Sequence, residues 1–288
     1  MIRCLAFDLD GTLLREDQTI DPRTMASIQK AMEKGIQIVI ASGRDKNGCK
    51  FVYEPLGLEQ GKHYLALVNG QILYDFEKKE YDLDDVLGPE DGLKIQKICR
   101  QFDVEGIFCC GYDFYSYISK SCRKQKEQRL KEYGEPMDYG LKAGRENRNF
   151  IDLPYEEVIL TQDINKVIMV HSEEFFKENI RKLKEALSDY EVLLIGEDWL
   201  EIMPKGVSKA SALEKIAKKN GYTMKEVMAF GDAENDKLML EQAGIGVAMG
   251  NAMEEIKAIA DIVTDTNMNN GIGKVIDKII LGKSIDES

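Results

Sequence analysis

The chain has 288 residues, of which 51 are acidic and 39 are basic, so its formal net charge is −12. This acidic balance argues against a general nucleic-acid binder, because phosphate backbones select basic surfaces, and weakly against an anionic membrane surface. No apolar stretch approaches the ~20 residues needed to span a bilayer, and Asp8 and Asp10 interrupt the apolar N-terminus, so no signal peptide is expected. At ~150 residues per domain, the length predicts about two domains or one core with a large insertion.

Cysteine and histidine usage narrows the chemistry further. The six cysteines lie at irregular spacings and none forms a CxxC pair, so neither a zinc ribbon nor a redox motif is indicated. A reduced, cytoplasmic location fits this pattern best. Only His63 and His171 are available for histidine-based catalysis or metal binding.

Strand and helix patterns alternate through the first and last thirds of the chain. An apolar run at 2–7 predicts a strand, and a helix is expected to begin after Asp21, with Pro22 at its first position, and to end at Gly35. The further predicted elements are strands at 36–40, 65–68, 227–230, 245–248 and 262–263, a hairpin between 71–74 and 80–83, and helices at 208–220, 234–243 and 272–281. The alternation predicts an α/β fold, with one parallel sheet and helices on both of its faces.

The middle of the chain has a different pattern. Its predicted elements are strands at 107–108, 114–118, 167–171 and 192–195, charged helices near 121–133 and 172–187, and a polar loop at 134–148. The simplest organisation is a discontinuous core domain of residues 1–83 and 198–288, interrupted by an inserted α+β domain of residues 84–197. The acidic segments 81–91 and 196–198 are the expected hinges.

The strongest chemical signal is the pair Asp8 and Asp10, which directly follows the first predicted strand in the segment FDLDGT. Ligands bind beyond the carboxyl ends of parallel strands, and two carboxylates this close repel each other unless a cation neutralises them. Oxygen ligands favour a hard ion such as Mg²⁺. The alternative is a solvated turn in which Gly11 provides a positive φ.

A second acidic segment, FGDAEND, follows another predicted strand far along the chain and contains Asp232 and Asp236. Taken alone, it is equally typical of a helix start with acidic residues in the first turn. Two acidic strand ends in one parallel sheet are more informative. Together they would provide three or four carboxylates around one metal ion.

Two weaker signals suit phosphate binding. Ser42 and Gly43 follow the strand at 36–40 and could donate hydrogen bonds to phosphoryl oxygens, although a simple turn is the alternative. Lys205 and Lys209 lie near a predicted helix start, where a lysine opposes the helix dipole. Lys209 would therefore sit there at some cost unless an anion offsets it, whereas a surface lysine would need no such partner.

These segments, in this order, resemble the haloacid dehalogenase (HAD) superfamily of phosphohydrolases, and most of all its Cof-type hydrolases of type IIB with a C2 cap. The matching pieces cover both terminal thirds and are FDLDGTLL, ASGR, VNGQIL, PKGVSKASAL, FGDAENDKLML, VAMGNA and VTDTNMNNGIG. The resemblance implies a Rossmann-like parallel-sheet core with an inserted α+β cap that sets specificity. It also implies a Mg²⁺-dependent phosphatase for small metabolites, such as sugar phosphates or phosphorylated cofactors, working as a monomer or weak homo-oligomer.

By the same resemblance, Asp8 is the nucleophile that forms an aspartyl-phosphate, and Asp10 is the general acid and then the general base. Mg²⁺ would be held by the Asp8 carboxylate, the Asp10 main-chain carbonyl and Asp232, with Asp236 beside it. The expected phosphate-binding groups are Ser42, the amides of Leu9 and Gly43, Asn235 and Lys209, with Lys205 as the alternative lysine. Arg44 is either structural or directed at the substrate.

Two other functions remain open at this point. A phosphomutase would use the same Asp8 and Asp10 but return the phosphoryl group to a bound sugar. A phospho-acceptor signalling module also combines an acidic cluster, a Ser or Thr and a Lys on a parallel sheet. Asp10 has no purpose in a passive acceptor, and the long insertion is foreign to such modules.

Overall fold

The chain forms two units, each built around its own β-sheet. The computed structural model describes residues 1–83, 85–111, 113–133, 149–195 and 197–282. The core unit comprises Met1–Asp84 and Val207–Ser288, and the inserted unit comprises Asp85–Gly206. Among the helices in the described ranges, none combines the length and the hydropathy that a bilayer crossing requires.

Every strand predicted in the first and last thirds of the chain is present, and the inserted unit adds strands of its own. The strands are β1 (Cys4–Phe7), β2 (Gln37–Ala41), β3 (Tyr64–Leu67), β4 (Ile72–Asp75), β5 (Glu80–Leu83), β6 (Glu105–Cys110), β7 (Asp113–Tyr117), β8 (Asn149–Leu153), β9 (Lys166–Val170), β10 (Tyr190–Leu194), β11 (Trp199–Pro204), β12 (Val227–Gly231), β13 (Ile245–Ala248) and β14 (Ile262–Val263). The helices are α1 (Pro22–Glu33), α2 (Lys50–Leu56), α3 (Pro89–Phe102), α4 (Lys120–Tyr133), α5 (Glu173–Ala186), α6 (Lys209–Lys219), α7 (Lys237–Gln242), α8 (Glu254–Ile259) and α9 (Gly271–Ile279).

The core unit contains an eight-stranded sheet in the order β14-β13-β12-β1-β2-β3-β4-β5. Strands β14 to β3 run parallel, whereas β4 and β5 form an antiparallel hairpin at one side. Strands β1, β2 and β12 are buried along their whole length, as their continuous apolar sequences require. Phe7 lies beside Phe230 on one side and beside Ile40 on the other, so the carboxyl ends of β12, β1 and β2 meet at one edge, the carboxyl edge. The predicted α/β fold with a parallel core sheet is confirmed.

Helix α1 shows how local signals set the bounds of an element. Pro22 occupies the first helical position, where its missing N–H costs nothing. The buried Asp21 carboxylate accepts the N–H of Arg23 at 2.8 Å, and the guanidinium groups of Arg15 and Arg23 each lie 2.9 Å from Asp21 Oδ2. Gly35 follows with a φ of +82°, so the helix ends at the predicted place.

The predicted helix at 234–243 is divided in the structure. A 3₁₀ turn at Glu234–Asp236 precedes α7. The Asp236 carboxylate turns back to accept the N–H groups of Asp232 at 2.9 Å and Ala233 at 3.1 Å. This tightens the first turn and leaves the Asp236 side chain buried at the carboxyl edge.

The inserted unit is the predicted α+β arrangement. Its six strands form a sheet in the order β10-β11-β9-β6-β7-β8, antiparallel except for the pair β7 and β8. Helices α3 and α5 pack on this sheet, where Ile95 and Phe176 share an apolar cluster with Phe108 and Met169. The unit therefore has an apolar core of its own.

The insertion ends further along the chain than its predicted boundary. Strand β11, which the prediction assigned to the core segment 198–288, pairs instead with β9 and β10 in the inserted sheet. Its Leu200 and Ile202 side chains are buried in the apolar cluster of the inserted unit. Burial of these two side chains explains why the unit extends to Gly206.

The insertion begins at Asp85, one residue from its predicted start, but the acidic segment there is not simply a hinge. The acidic segment 81–91, expected to be a hinge, contains the start of α3. Pro89 takes the first helical position, and the Asp91 carboxylate accepts the N–H of Gly88 at 3.0 Å. The acidic residues there favour a helix N-terminus. The predicted loop at 134–148 lies outside the described residues.

Candidate active site

The loop that follows β1 holds Asp8 at the carboxyl edge. The Asp8 N–H donates to the carbonyl of Phe230 at 3.1 Å, so Asp8 continues the pairing of β1 with β12, and its side chain is buried. The Leu13 N–H bonds back to the Asp8 carbonyl at 3.2 Å and closes the loop. Gly11 has a φ of +81°, and a Cβ there would lie 2.4 Å from Asp232 Oδ2. Only glycine fits this position.

The side chain of Lys209, the first residue of α6, contacts Asp8. Its side chain is fully buried, and its Nζ lies 2.5 Å from Asp8 Oδ1 and 2.7 Å from Asp236 Oδ1. Two carboxylates thus offset a lysine that the helix dipole disfavours. Lys205 lies in the inserted unit, where its Nζ donates to the carbonyl of Ser188 at 3.1 Å. The structure therefore brings Lys209 to Asp8.

Asp232 completes a cluster of three carboxylates. It follows β12, and its Oδ1 accepts the Thr12 hydroxyl at 2.6 Å. One carboxylate oxygen from each of Asp8, Asp232 and Asp236 lies within 4.8 Å of the others. Pairing of β1 with β12 is what joins these distant parts of the sequence.

The charges in this cluster do not balance. Burial, and then the neighbouring Asp236 charge, raises the pKa of Asp8, and the same two causes raise the pKa of Asp232 to about 6. Burial alone would lower the pKa of Lys209, but the carboxylates of Asp236 and Asp8 raise it. One buried ammonium faces three carboxylates, so the cluster is short of positive charge. A hard divalent cation that prefers oxygen ligands would supply it, so these residues fit a Mg²⁺ ion.

Asp10 lies in a different environment from Asp8. Its side chain is 54% exposed and is held by Arg44, whose Nε lies 2.9 Å from Oδ2 and whose Nη2 lies 2.5 Å from Oδ1. The same Nη2 donates to Gln18 Oε1 at 2.7 Å. The Asp10 carboxylate is therefore outside the three-carboxylate cluster. Arg44, left open between two roles by the sequence, contacts Asp10.

The residues expected to bind phosphate lie around the end of β2. Ser42 is buried, its Oγ accepts the N–H of Arg44 at 3.2 Å, and its carbonyl accepts the N–H of Asn69 at 3.0 Å. Asn235 Nδ2 donates to Asn69 Oδ1 at 3.1 Å, and a Cβ on Gly43 would lie 3.3 Å from that same oxygen. Leu9, the remaining residue of the expected set, is buried in the β1 loop. Asn69 thus links the β2 turn to Asn235.

Sequence reasoning overlooked two residues of this site. The sequence marks Asn69 only as part of a turn dipeptide with Gly70, yet Asn69 is buried with a φ of 53°, beside Val68 and Gly70, which also have positive φ. An asparagine before a glycine tolerates this left-handed backbone and is the signal that could have found it. Thr12 has no local signal, because its partner Asp232 lies 220 residues away.

The model of the haloacid dehalogenase-like hydrolases matches residues 5–276 of the chain. The chain belongs to this family. It is a Cof-type HAD hydrolase with a parallel-sheet core and an inserted unit.

Several relatives of this HAD hydrolase are named as phosphatases. It is 30% identical over 277 residues to the 5-amino-6-(5-phospho-D-ribitylamino)uracil phosphatase YcsE of Bacillus subtilis, across 96% of this chain and 94% of that protein. It is 28% identical over 284 residues to the pyridoxal phosphate phosphatase YbhA of Escherichia coli, across 95% and 97%. The solved structure of a HAD subclass IIB sugar phosphatase has a TM-score of 0.76 and 25% identity, across 97% of this chain and 99% of that one. The HAD hydrolase is accordingly an enzyme of the phosphatase class.

Proposed function

We propose that this HAD hydrolase is a Mg²⁺-dependent phosphatase that cleaves phosphate monoesters of small metabolites through an aspartyl-phosphate on Asp8. The observation that carries the proposal is the contrast between two neighbouring carboxylates. Asp8 is buried against the Lys209 ammonium, whereas Asp10 is exposed and held by Arg44. One carboxylate is oriented for attack, and the other lies where it can exchange protons with substrate and water.

In the first step, an Asp8 carboxylate oxygen forms a bond to phosphorus while the bond from phosphorus to the leaving oxygen breaks. Asp10 gives its proton to that leaving oxygen, so an alcohol departs. Lys209 offsets the charge of Asp8 and of the group in transfer. Ser42, the amides of Leu9 and Gly43, and Asn235 bind the phosphoryl oxygens.

In the second step, Asp10 accepts a proton from water as the water oxygen attacks phosphorus. The bond between phosphorus and Asp8 then breaks, which releases inorganic phosphate and restores both carboxyl groups to their starting protonation. When bound by the carboxylates of Asp8 and Asp232 and the Asp10 main-chain carbonyl, with Asp236 beside them, Mg²⁺ neutralises charge on the phosphoryl oxygens. The shortage of positive charge in the cluster supports this assignment.

The proposed substrate class is supported by three relatives, which are named for a phosphorylated ribityl compound, for pyridoxal phosphate and for sugar phosphates. We place the substrate of this chain among sugar phosphates and phosphorylated cofactors, with the inserted unit as the specificity domain. The six cysteines all lie within the described residues, are buried and form no disulfide, which supports the cytoplasmic location expected from their spacing. A panel of phosphorylated metabolites assayed for phosphate release identifies the substrate.

Hydrolysis of p-nitrophenyl phosphate tests the mechanism. We expect turnover that requires Mg²⁺, stops in EDTA, and is lost in Asp8→Asn and in Asp10→Asn. Asp17→Asn, which changes an exposed aspartate close in sequence, is the matched control and should keep its activity. Undiminished turnover in Asp8→Asn would overturn the nucleophile, and full activity in EDTA would overturn the metal. Transfer of the phosphoryl group to a sugar hydroxyl in preference to water would replace hydrolysis by phosphomutase activity.

A further inference from the structure

Two sequence segments that resemble the family have no part in the chemistry proposed so far. VAMGNA ends β13 and continues into the next loop, and VTDTNMNNGIG does the same after β14. Both strands run parallel to β12, so both loops lie at the carboxyl edge. Asn251 lies in the loop after β13 and Asn267 in the loop after β14. These two side chains form what we call the amide clamp.

The amide clamp grips the β1 loop at two points. Asn251 Nδ2 donates to the carbonyl of Gly11 at 2.7 Å, and Asn267 Nδ2 donates to the carbonyl of Leu14 at 2.7 Å. The two asparagines are joined to each other, because the Asn267 N–H donates to Asn251 Oδ1 at 3.1 Å. The clamp therefore spans the loop from the residue after Asp10 to the end of the loop.

The base of the clamp is tied to the strand that carries Asp232. The N–H of Met253 donates to the Asp232 carbonyl at 3.0 Å, and the N–H of Met249 donates to the Gly231 carbonyl at 3.1 Å. The two loops are also joined, since the Gly250 N–H donates to the Asp265 carbonyl at 3.1 Å. A shift of the clamp would therefore shift Gly11 relative to Asp232.

The β1 loop is held from the other side by Asp232 itself. The Thr12 hydroxyl donates to Asp232 Oδ1 at 2.6 Å, and Gly11 leaves no room for a Cβ against Asp232 Oδ2. The loop thus lies between a carboxylate on one side and the amide clamp on the other. These contacts fix the position of the β1 loop, although the residues that make them lie far from the loop in sequence.

A carboxamide suits this position better than a carboxylate. Asn251 donates to one main-chain carbonyl and accepts from one main-chain N–H, and only a side chain with both groups does so. It also adds no charge beside a cluster that already lacks positive charge. Aspartate at the same position could accept but not donate.

We propose that Asn251 and Asn267 are positioning residues that hold Asp8 and Asp10 in register with Asp232. The proposal rests on the proposed phosphatase function and assigns a role to residues that touch no reacting atom. Reacting groups displaced by about 1 Å can lose about 10²-fold in rate. Loss of the clamp therefore lowers kcat rather than ground-state binding of phosphate.

The experiment compares Asn251→Ala, Asn251→Asp, Asn267→Ala and the double alanine variant with the wild-type enzyme. Asn269→Ala is the matched control, because Asn269 is an exposed asparagine of the same loop. The readouts are kcat and KM for p-nitrophenyl phosphate, inhibition by inorganic phosphate, and the melting temperature. Asn251→Asp keeps the size of the side chain, so it tests the lost donor even if alanine impairs folding.

We expect each clamp variant to lose about tenfold or more in kcat, with KM and phosphate inhibition changed less than about twofold. The double variant should lose less than the product of the two single losses, because the two asparagines act as one unit. Unchanged kcat per folded molecule, or a loss seen only in KM, would overturn the clamp. If Asp8→Asn also keeps full turnover, the proposed function itself has failed; if Asp8→Asn is inactive while the clamp variants match the wild type, only the clamp has failed.

Discussion

Two buried aspartates of the core unit, Asp8 after β1 and Asp21 before α1, lie in opposite electrostatic surroundings. Asp21 bonds to the side chain and N–H of Arg23 and pairs with Arg15, and these contacts lower its pKa to about 2. Burial and the nearby Asp236 charge raise the pKa of Asp8, whereas the Lys209 ammonium acts to lower it. Asp21, which only caps the start of a helix, is therefore balanced by the positive charges of Arg15 and Arg23. The carboxylate proposed for chemistry lies where negative charge is in excess.

Replacing each aspartate by asparagine tests this contrast most severely. Asp8→Asn removes the proposed nucleophile, so turnover of p-nitrophenyl phosphate should fall by about 10³-fold or more. Its melting temperature should stay level or rise, because one charge leaves a crowded cluster. Asp21→Asn should do the reverse, with normal turnover per folded molecule and a lower melting temperature. A less stable Asp8→Asn would show that crowding of charge does not strain the fold.

Replacing Lys209 sharpens the contrast, because within the described residues its ammonium is the only one that contacts Asp8. Lys209→Met should lower turnover by about 10²-fold or more and destabilise the fold by about 3–5 kcal/mol, since Asp8 and Asp236 lose their buried partner. Lys209→Arg keeps the charge and should fold better than Lys209→Met while remaining impaired. Lys205→Met is the matched control and should retain turnover within about twofold. Equal losses at the two positions would contradict the assignment of Lys209.

Metal binding extends the comparison to the free energy of unfolding. At about 100 times its Kd, an ion that binds only the folded state stabilises it by about 2.7 kcal/mol. Mg²⁺ should therefore raise the melting temperature of the wild-type protein by several degrees, and by less in Asp232→Asn. Asp21→Asn should show the full Mg²⁺-dependent rise, because its site lies apart from the cluster. Equal rises in all three proteins would place the ion elsewhere.

The smallest expected effect is the pH dependence of Asp21. A pKa lowered from 3.8 to about 2 corresponds to about 2 kcal/mol of stability. Because the folded pKa is the lower one, this stabilisation is complete above about pH 4 and is lost as the pH falls towards 2. Urea unfolding between pH 7 and pH 3 should therefore show Asp21→Asn less stable at pH 7, with the gap to wild type narrowing in acid. A gap that is constant with pH would mean that the Asp21 charge contributes nothing.

Elements with local signals could be predicted from the sequence, and those defined by distant partners could not. The bounds of helix α1 are set by Asp21 and Pro22 at its start and by Gly35 after its end. Each of these residues lies close in sequence to the helix end that it sets. Strand β11 is a short run that is apolar except for Glu201, and its place between β9 and β10 depends on pairing that no neighbouring residue signals. Helix α3 has a usable signal in Pro89 and the acidic residues after it, although an acidic segment is equally typical of a hinge.

The candidate site divides in the same way. Acidic residues after two apolar strands predict a cation site, because the carboxyl ends of parallel strands share an edge. Thr12 and Asn251 contribute through contacts with Asp232 and Gly11, 220 and 240 residues away. Such contacts depend on the register of β1 and β12 and on loop shape, which the sequence alone does not reveal.

The position of β1 between β2 and β12 has a consequence for synthesis on the ribosome. The segment with Asp8 is made before the inserted unit, whereas Lys209, Asp232 and Asp236 follow only after the whole of that unit. Until β12 emerges, one side of β1 has no partner strand, and long-range pairing of this kind delays folding. A chain that lacks β12 therefore holds the proposed nucleophile without its neighbours, so catalysis can begin only after β12 and the residues that follow it have been made.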